Sequence, residues 1–277
     1  MTRLHQTDST FDGSALLPLW ARLDEAERAM EEADSWFERT QVLTDRRLDS
    51  SERAGRRAYI QASALISNAR EHQVLMERTF TVPGVGVFPH ATVNLIRPAF
   101  EAAARALWIV DGHDSRERRL RGLRIAWEDH EESGKWANEL LKQQFLSQAQ
   151  IEEQTRKHAD IGTRYRQDAD ALGIPWTKVK PRMNFRDEIG KFTALDRDLD
   201  LPQFLRAIWR RMSGVQHSMS YASLLGTNRE HEVVIPGGMQ VTLTTDDDSL
   251  LNDCRASALM QLWAMNCYTT RTRRLTR

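Results

Sequence analysis

The chain has 277 residues, 40% of them hydrophobic and 28% charged, and its 39 Lys and Arg balance 39 Asp and Glu. That length is enough to bury a large core, and the zero net charge excludes a global field drawing the protein to nucleic acid or an anionic membrane. Any such contact must come from a local patch.

Residues 1–13 are polar and read as a flexible N-terminus ahead of a single helical domain over 14–277. Over 14–44, Leu16, Trp20, Leu23, Met30, Ala33 and Phe37 recur on one helical face with Glu and Arg opposite. This predicts an amphipathic helix of roughly 30 residues, about 45 Å long. Asp49 with Glu52 resembles an N-cap and its reciprocal partner, after which Tyr59, Ala62, Ile66, Ala69 and Met76 draw a second stripe. The two helices predict an antiparallel hairpin over 14–78, packed on a helical core over 90–277.

The stretch 81–89 holds two prolines and two glycines and predicts a connection. Residues 91–110 are dense in Val, Leu, Ile, Ala, Phe and Trp and predict the most buried helix, with Pro98 at its first turn or at a kink. Helices with broad charged faces are expected over 114–142 and 147–172. A basic, proline-punctuated loop follows over 173–182, then a short helix over 185–195. Pro202 opens a helix over 202–226. Strand character is confined to 232–244, where EVVI and MQVTLT flank PGG, predicting a β-hairpin insertion near 231–244. Asp246, Asp247 and Asp248 are placed to cap a last helix running toward Arg271, Arg273 and Arg274. Cys254 and Cys267 share that helix, roughly 140° apart on its wheel, and do not bridge each other within it. With no disulfide framework, leader or long apolar run, a cytoplasmic location is expected and no membrane partner. The fold expected is all-α, a bundle of about seven or eight helices with one small β-hairpin.

Several chemistries lack their residues. There is no HExxH, no Glu-x-x-His and no Cys-x-x-Cys, so no metal is expected. Gly84 and Gly86 lack the third glycine of a dinucleotide loop, and Gly134-Lys135 and Gly190-Lys191 are followed by Trp136 and Phe192 rather than Ser or Thr. No Gly-x-Ser-x-Gly elbow occurs, and no cofactor is expected.

The suggestive chemistry lies on the 202–226 helix. Leu205, Ile208, Met212, Val215, Met219 and Ala222 form its apolar stripe, extended by Phe204 and Trp209, while Arg206, Arg210, Ser213, His217 and Tyr221 share a polar arc of roughly 80°. Arg210 and His217 are separated by about 10.5 Å of axial rise, with Gly214 between them removing bulk. A guanidinium fork and an imidazole across such a gap suit a phosphate. Arg211 points about 120° away from His217 and is the weaker partner. On the 91–110 helix, Asn94, Arg97, Glu101 and Arg105 form a second polar row. If it faced the first, Glu101 would orient His217 or hold Arg210. The plainer expectation is a solvent-facing side for Arg210 and His217, and a surface ion-pair ladder for Arg97, Glu101 and Arg105.

The run WRRMSGVQHSMSY, residues 209–221, together with RPAFEAAARALW earlier, resembles the HEPN-like superfamily of helical bundles and related uncharacterised bacterial helical families. Active HEPN-like ribonucleases carry Arg, four to six residues, then His, and cleave RNA without metal, commonly at a site completed by a second subunit. The resemblance implies His217 as acid/base, Arg210 as phosphate stabiliser, and a homodimer, and the function expected is binding of RNA or a nucleotide phosphate, with metal-independent RNA cleavage as its catalytic form. Active members usually have a polar residue after the arginine, whereas this sequence has Arg211 or Met212. Two rivals to a ribonuclease remain: a non-catalytic helical interaction or scaffold module, and a bundle binding an apolar ligand.

Overall fold

In the computed structural model, the described residues are 11–82, 87, 89–142, 147–193, 200–217, 219, 222, 227–235 and 238–273. A 3-10 turn at Gly13–Leu16 leads into α1 (Leu17–Arg39), which buries Trp20, Leu23, Ala26, Met30 and Ala33. The first helix stops short of the expected residue 44. Thr40 is extended, and Thr44 accepts a hydrogen bond from the Arg47 amide to cap a separate five-residue helix, α2 (Asp45–Asp49). Asp49 is therefore not an N-cap. It closes α2 fully buried, and α3 (Arg53–Phe80) starts at Glu52 without a side-chain cap. Gly55 makes this fold-back possible, because a Cβ there would stand 1.8 Å from the Asp49 carbonyl oxygen.

The most apolar segment forms α4 (Pro89–Val110), with Ile96, Ala99, Phe100, Ala103, Ala104 and Leu107 fully buried. Pro98 lies inside this helix rather than in its first turn, so the Asn94 carbonyl loses its usual helical donor. Then come α5 (Ser115–Lys142) and α6 (Gln148–Ala171). The latter opens with a full capping box between Ser147 and Gln150. It ends in a Schellman closure: Gly173 takes φ +61°, its amide bonds the Asp170 carbonyl, and the Ile174 amide reaches back to Ala169. The expected loop after it contains a single-turn helix, α7 (Trp176–Val179), and the expected short helix is α8 (Phe185–Glu188) plus a 3-10 turn at Ile189–Lys191.

Next, α9 (Leu201–Gln216) is followed by strands β1 (Thr227–Ile235) and β2 (Gly238–Thr245). They pair antiparallel, Thr227 opposite Thr245 and Ile235 opposite Gly238, with a register irregularity between Glu230 and Val233. The expected turn residues Pro236 and Gly237 lie outside the described residues. The last helix is α10 (Asp247–Arg273). Its first-turn Leu250 amide bonds the Asp246 carbonyl, so the aspartate run does mark its start. The fold is an all-α bundle with one small β-hairpin.

Small residues on α4 let α3 and α10 pack closely against it, and α9 covers a further side. α1 and α3 run antiparallel, joined by Trp20 Nε1 donating to Gln73 at 3.2 Å and Arg70 Nε donating to Glu27 at 2.9 Å. The backbone of α1 nonetheless lies closer to α10, which also reaches α3 through Gln73 donating to Ser257 at 2.9 Å. One apolar cluster runs from Phe11 to Tyr268, and a smaller one joins Ala54, Leu123, Ala126, Tyr165, Ala169, Ile174 and Val179. Among the described residues no helix is long and apolar enough to cross a membrane.

Candidate functional site

The apolar stripe of α9 turns Leu205, Ile208, Met212 and Val215 into the core, which leaves the opposite arc outward. Arg206 and Arg210 are exposed there and Ser213 is half-buried. The Arg206 guanidinium lies against Gly190, where a Cβ would collide with its Nη2. Helix α9 ends at Gln216, well before the expected residue 226. His217 is its C-cap residue, at φ −88° and ψ 13°, exposed, with its amide bonded to the Ser213 carbonyl at 3.1 Å. The Met219 amide closes the end on the Gly214 carbonyl at 2.8 Å, and Met219 is 49% exposed rather than part of the buried stripe. Tyr221 lies outside the described residues. Neither Arg210 nor His217 makes a side-chain hydrogen bond or ion pair among the described residues.

Arg211 turns the other way. It forms an ion pair with Asp253 on α10, a carboxylate only 1% exposed, and donates to the Ser249 carbonyl at 3.4 Å. Burial pushes the Asp253 carboxyl up to about 6, against the pull of Arg211. With Arg211 committed to the core, Arg210 is the arginine of the pair left to a ligand.

The α4 polar row does meet α9, but at different residues from those expected. Glu101 Oε1 accepts from Arg97 Nε at 2.7 Å and from Trp209 Nε1 at 3.0 Å. Arg97 also donates to the Gln216 side chain. Glu101 is thus engaged by Arg97 and Trp209 and does not orient His217 or hold Arg210. Arg105 leaves the ladder to reach Glu128 on α5 at 3.0 Å, with its guanidinium 5.4 Å from the Phe185 ring centre. Asn94 is exposed. The row is therefore a half-buried seam between helices rather than a solvent-facing ladder. Trp209 belongs to it through its indole N–H while its ring stacks on Phe185, 5.8 Å between centres. Helical spacing puts Trp209 only in the apolar stripe and marks no role for Gln216. Nothing local signals either contact, because the partners lie 108 and 119 residues away.

What remains outward is an open edge: Arg210 and Ser213 along α9, then His217 and the Arg97–Gln216 pair at its C-terminal end. An open row of this kind can dock successive phosphates of an extended backbone. Among the described residues no carboxylate stands behind His217 to fix a tautomer. Among the described residues no three His, Cys, Asp or Glu side chains gather into a metal-holding group. Compared with family models, with curated proteins and with solved structures, the chain has no match.

Proposed function

We propose that the chain binds RNA through the outward row of α9, with Arg210 holding a backbone phosphate and His217 and Ser213 bonding the neighbouring phosphate or ribose. The observation that carries this reading is the pairing state of the arginines. Arg97, Arg105 and Arg211 are bound to carboxylates, while Arg206 and Arg210 project outward without one among the described residues, Arg206 lying against Gly190 and Arg210 open. Since the chain has no net charge, affinity rests on such local cations. Among the described residues no group orients the His217 ring, which favours binding over cleavage in a single chain. Cleavage would require a second copy to complete the site, as the HEPN-like resemblance implies.

The test is fluorescence anisotropy with a labelled single-stranded RNA across a salt series, using wild type, Arg210→Ala and His217→Ala. Arg210→Ala is expected to weaken binding on all sequences about tenfold and to lower the salt slope by about 1. Unchanged binding in both variants overturns the proposal. The same proteins incubated with RNA and a chelator, with their mass in solution measured, test the catalytic step. Cleavage abolished by His217→Ala with binding retained, in a dimer, would make the protein a ribonuclease.

A further inference from the structure

A cavity of about 560 Å³ opens between the first turns of α5, the α6–α7 connection and the end of α8. This volume lies within the range of small-molecule sites. Its charges are uneven: Arg116, Arg121, Arg124, Lys178 and Lys191 line it against Asp114, Glu117 and Glu188. All three carboxylates already accept hydrogen bonds, Glu117 and Glu188 from cations of the same cavity and Asp114 from a backbone amide that leaves its charge in place. Asp114 caps α5 by accepting from the Glu117 amide at 2.8 Å, and Glu117 takes Arg121 Nη2 at 2.6 Å and the His113 amide at 2.8 Å. Glu188 takes Lys191 Nζ and Trp108 Nε1, both at 2.8 Å.

Arg116, Arg124 and Lys178 are left with no carboxylate partner among the described residues. The two arginines are held instead by backbone carbonyls: Arg116 Nη2 donates to Gly173 at 3.0 Å and Arg124 Nε to Lys178 at 2.7 Å. A carbonyl aims a guanidinium without neutralising it, and each tether leaves most of the fork's donors unused. Arg124 is half-buried, and burial lowers its pKa, with Arg121 adding to this against the opposing pull of Glu188 and Glu117. Leu120, Ile174 and Pro175 supply an apolar side to the same cavity.

The geometry points to a site for a nucleoside di- or triphosphate, with Arg116, Arg124 and Lys178 taking the phosphates and the Leu120, Ile174 and Pro175 side taking the base. None of its residues belongs to the α9 row, so this site stands or falls separately from RNA binding there. The experiment is calorimetric titration of the full chain, in a chelator-containing buffer, with ATP, AMP and inorganic tripolyphosphate. ATP is expected to saturate one site below about 1 mM. Tripolyphosphate should bind more weakly, and AMP more weakly still. Arg116→Glu and Lys178→Glu alter exposed side chains and should each weaken ATP by at least about tenfold. Arg124→Gln should act likewise if it folds. Arg210→Ala should leave ATP binding unchanged. The inference is overturned if neither ATP nor tripolyphosphate binds, or if binding is indifferent to both charge reversals. Tripolyphosphate binding as tightly as ATP overturns the base-binding wall and leaves a bare polyphosphate site. Loss of RNA binding in the reversed variants without any ATP binding assigns these cations to RNA and overturns the nucleotide site.

Discussion

Asp253 is 1% exposed, and Arg211 is the charged group set against it among the described residues. Burial dominates and pushes its carboxyl up to about 6, above the ordinary value of 3.8 that it regains on unfolding. Between those two pH values the folded chain holds a proton that the unfolded chain has lost. Stability from this residue therefore rises as pH falls from 7 toward 4, by up to a few kcal/mol. Asp253→Asn removes the titration, so wild type should gain on the variant steadily over that window. Urea midpoints of both proteins from pH 7.5 to 4 measure it, and a gap that stays constant with pH would show that Asp253 remains ionised throughout. Burial acts on the thiols in the same way: Cys267 is pushed up to about 11, and Cys254, on the same helix, is pushed up as well. Neither is a thiolate near neutrality, so alkylation by iodoacetamide at pH 7.5 should wait for unfolding. Rapid labelling of either cysteine in the native protein would contradict this.

Helices α5 and α6 meet through two stacked imidazoles, His130 and His158, with ring centres 3.7 Å apart. Glycines opposite each ring make the stack possible, since a Cβ at Gly134 would stand 2.6 Å from His158 Nε2 and one at Gly162 would stand 3.1 Å from His130 Nε2. Burial, and then repulsion from His158, lowers the His130 pKa despite the neighbouring Glu131 and Asp129. The unfolded chain therefore takes up this proton first on acidification. The helix pair should keep its full stability above pH 6.5 and lose it below. Hydrogen exchange of the α6 amides should accelerate between pH 6.5 and 5 after correction for the intrinsic rate, and His130→Phe should flatten that response. An unchanged profile would remove the histidine pair from the account. The helices themselves were legible because their apolar residues recur at three and four. The break at Thr40 was not, since α2 is fixed by Asp45 and Asp49 finding arginines 226 and 69 residues away. The candidate site divides the same way. Helical spacing placed Arg97 with Glu101 and Arg210 with His217, but the crossing of α4 and α9 decided that Glu101 would take Trp209.

Across the whole molecule, α2 acts as a clasp far out of proportion to its five residues. Asp49 receives Arg118 of α5 through two bonds, Nε at 2.6 Å and Nη2 at 3.1 Å, and also the Tyr59 hydroxyl of α3 at 3.0 Å. Asp45 receives Arg271 of α10 at 2.7 Å. Both arginines then reach carbonyls at the C-terminal end of α4: Arg118 bonds Gly112, two residues past it, at 3.1 Å, and Arg271 bonds its last residue, Val110, at 3.1 Å. Positive charge is favoured at that helix end. Four long helices are thus tied at one point by groups that are nearly all buried, with Arg118 only 4% exposed and Asp49 0%. Such a pair costs desolvation to assemble, so its net worth is small, but removing one member strands a buried charge. Asp49→Ala should lose about 3–5 kcal/mol by urea unfolding with an unchanged m-value, because the same surface is exposed on unfolding. Asp49→Ala combined with Arg118→Met removes the stranded charge and should recover much of that loss, so the two changes should be far from additive. If Asp49→Ala cost less than about 1 kcal/mol, water would be reaching Arg118 and the clasp would be no more than a surface pair. If the double variant lost the sum of the singles, the bonds to Tyr59 and Gly112, rather than the charge pair, would be what holds these helices together.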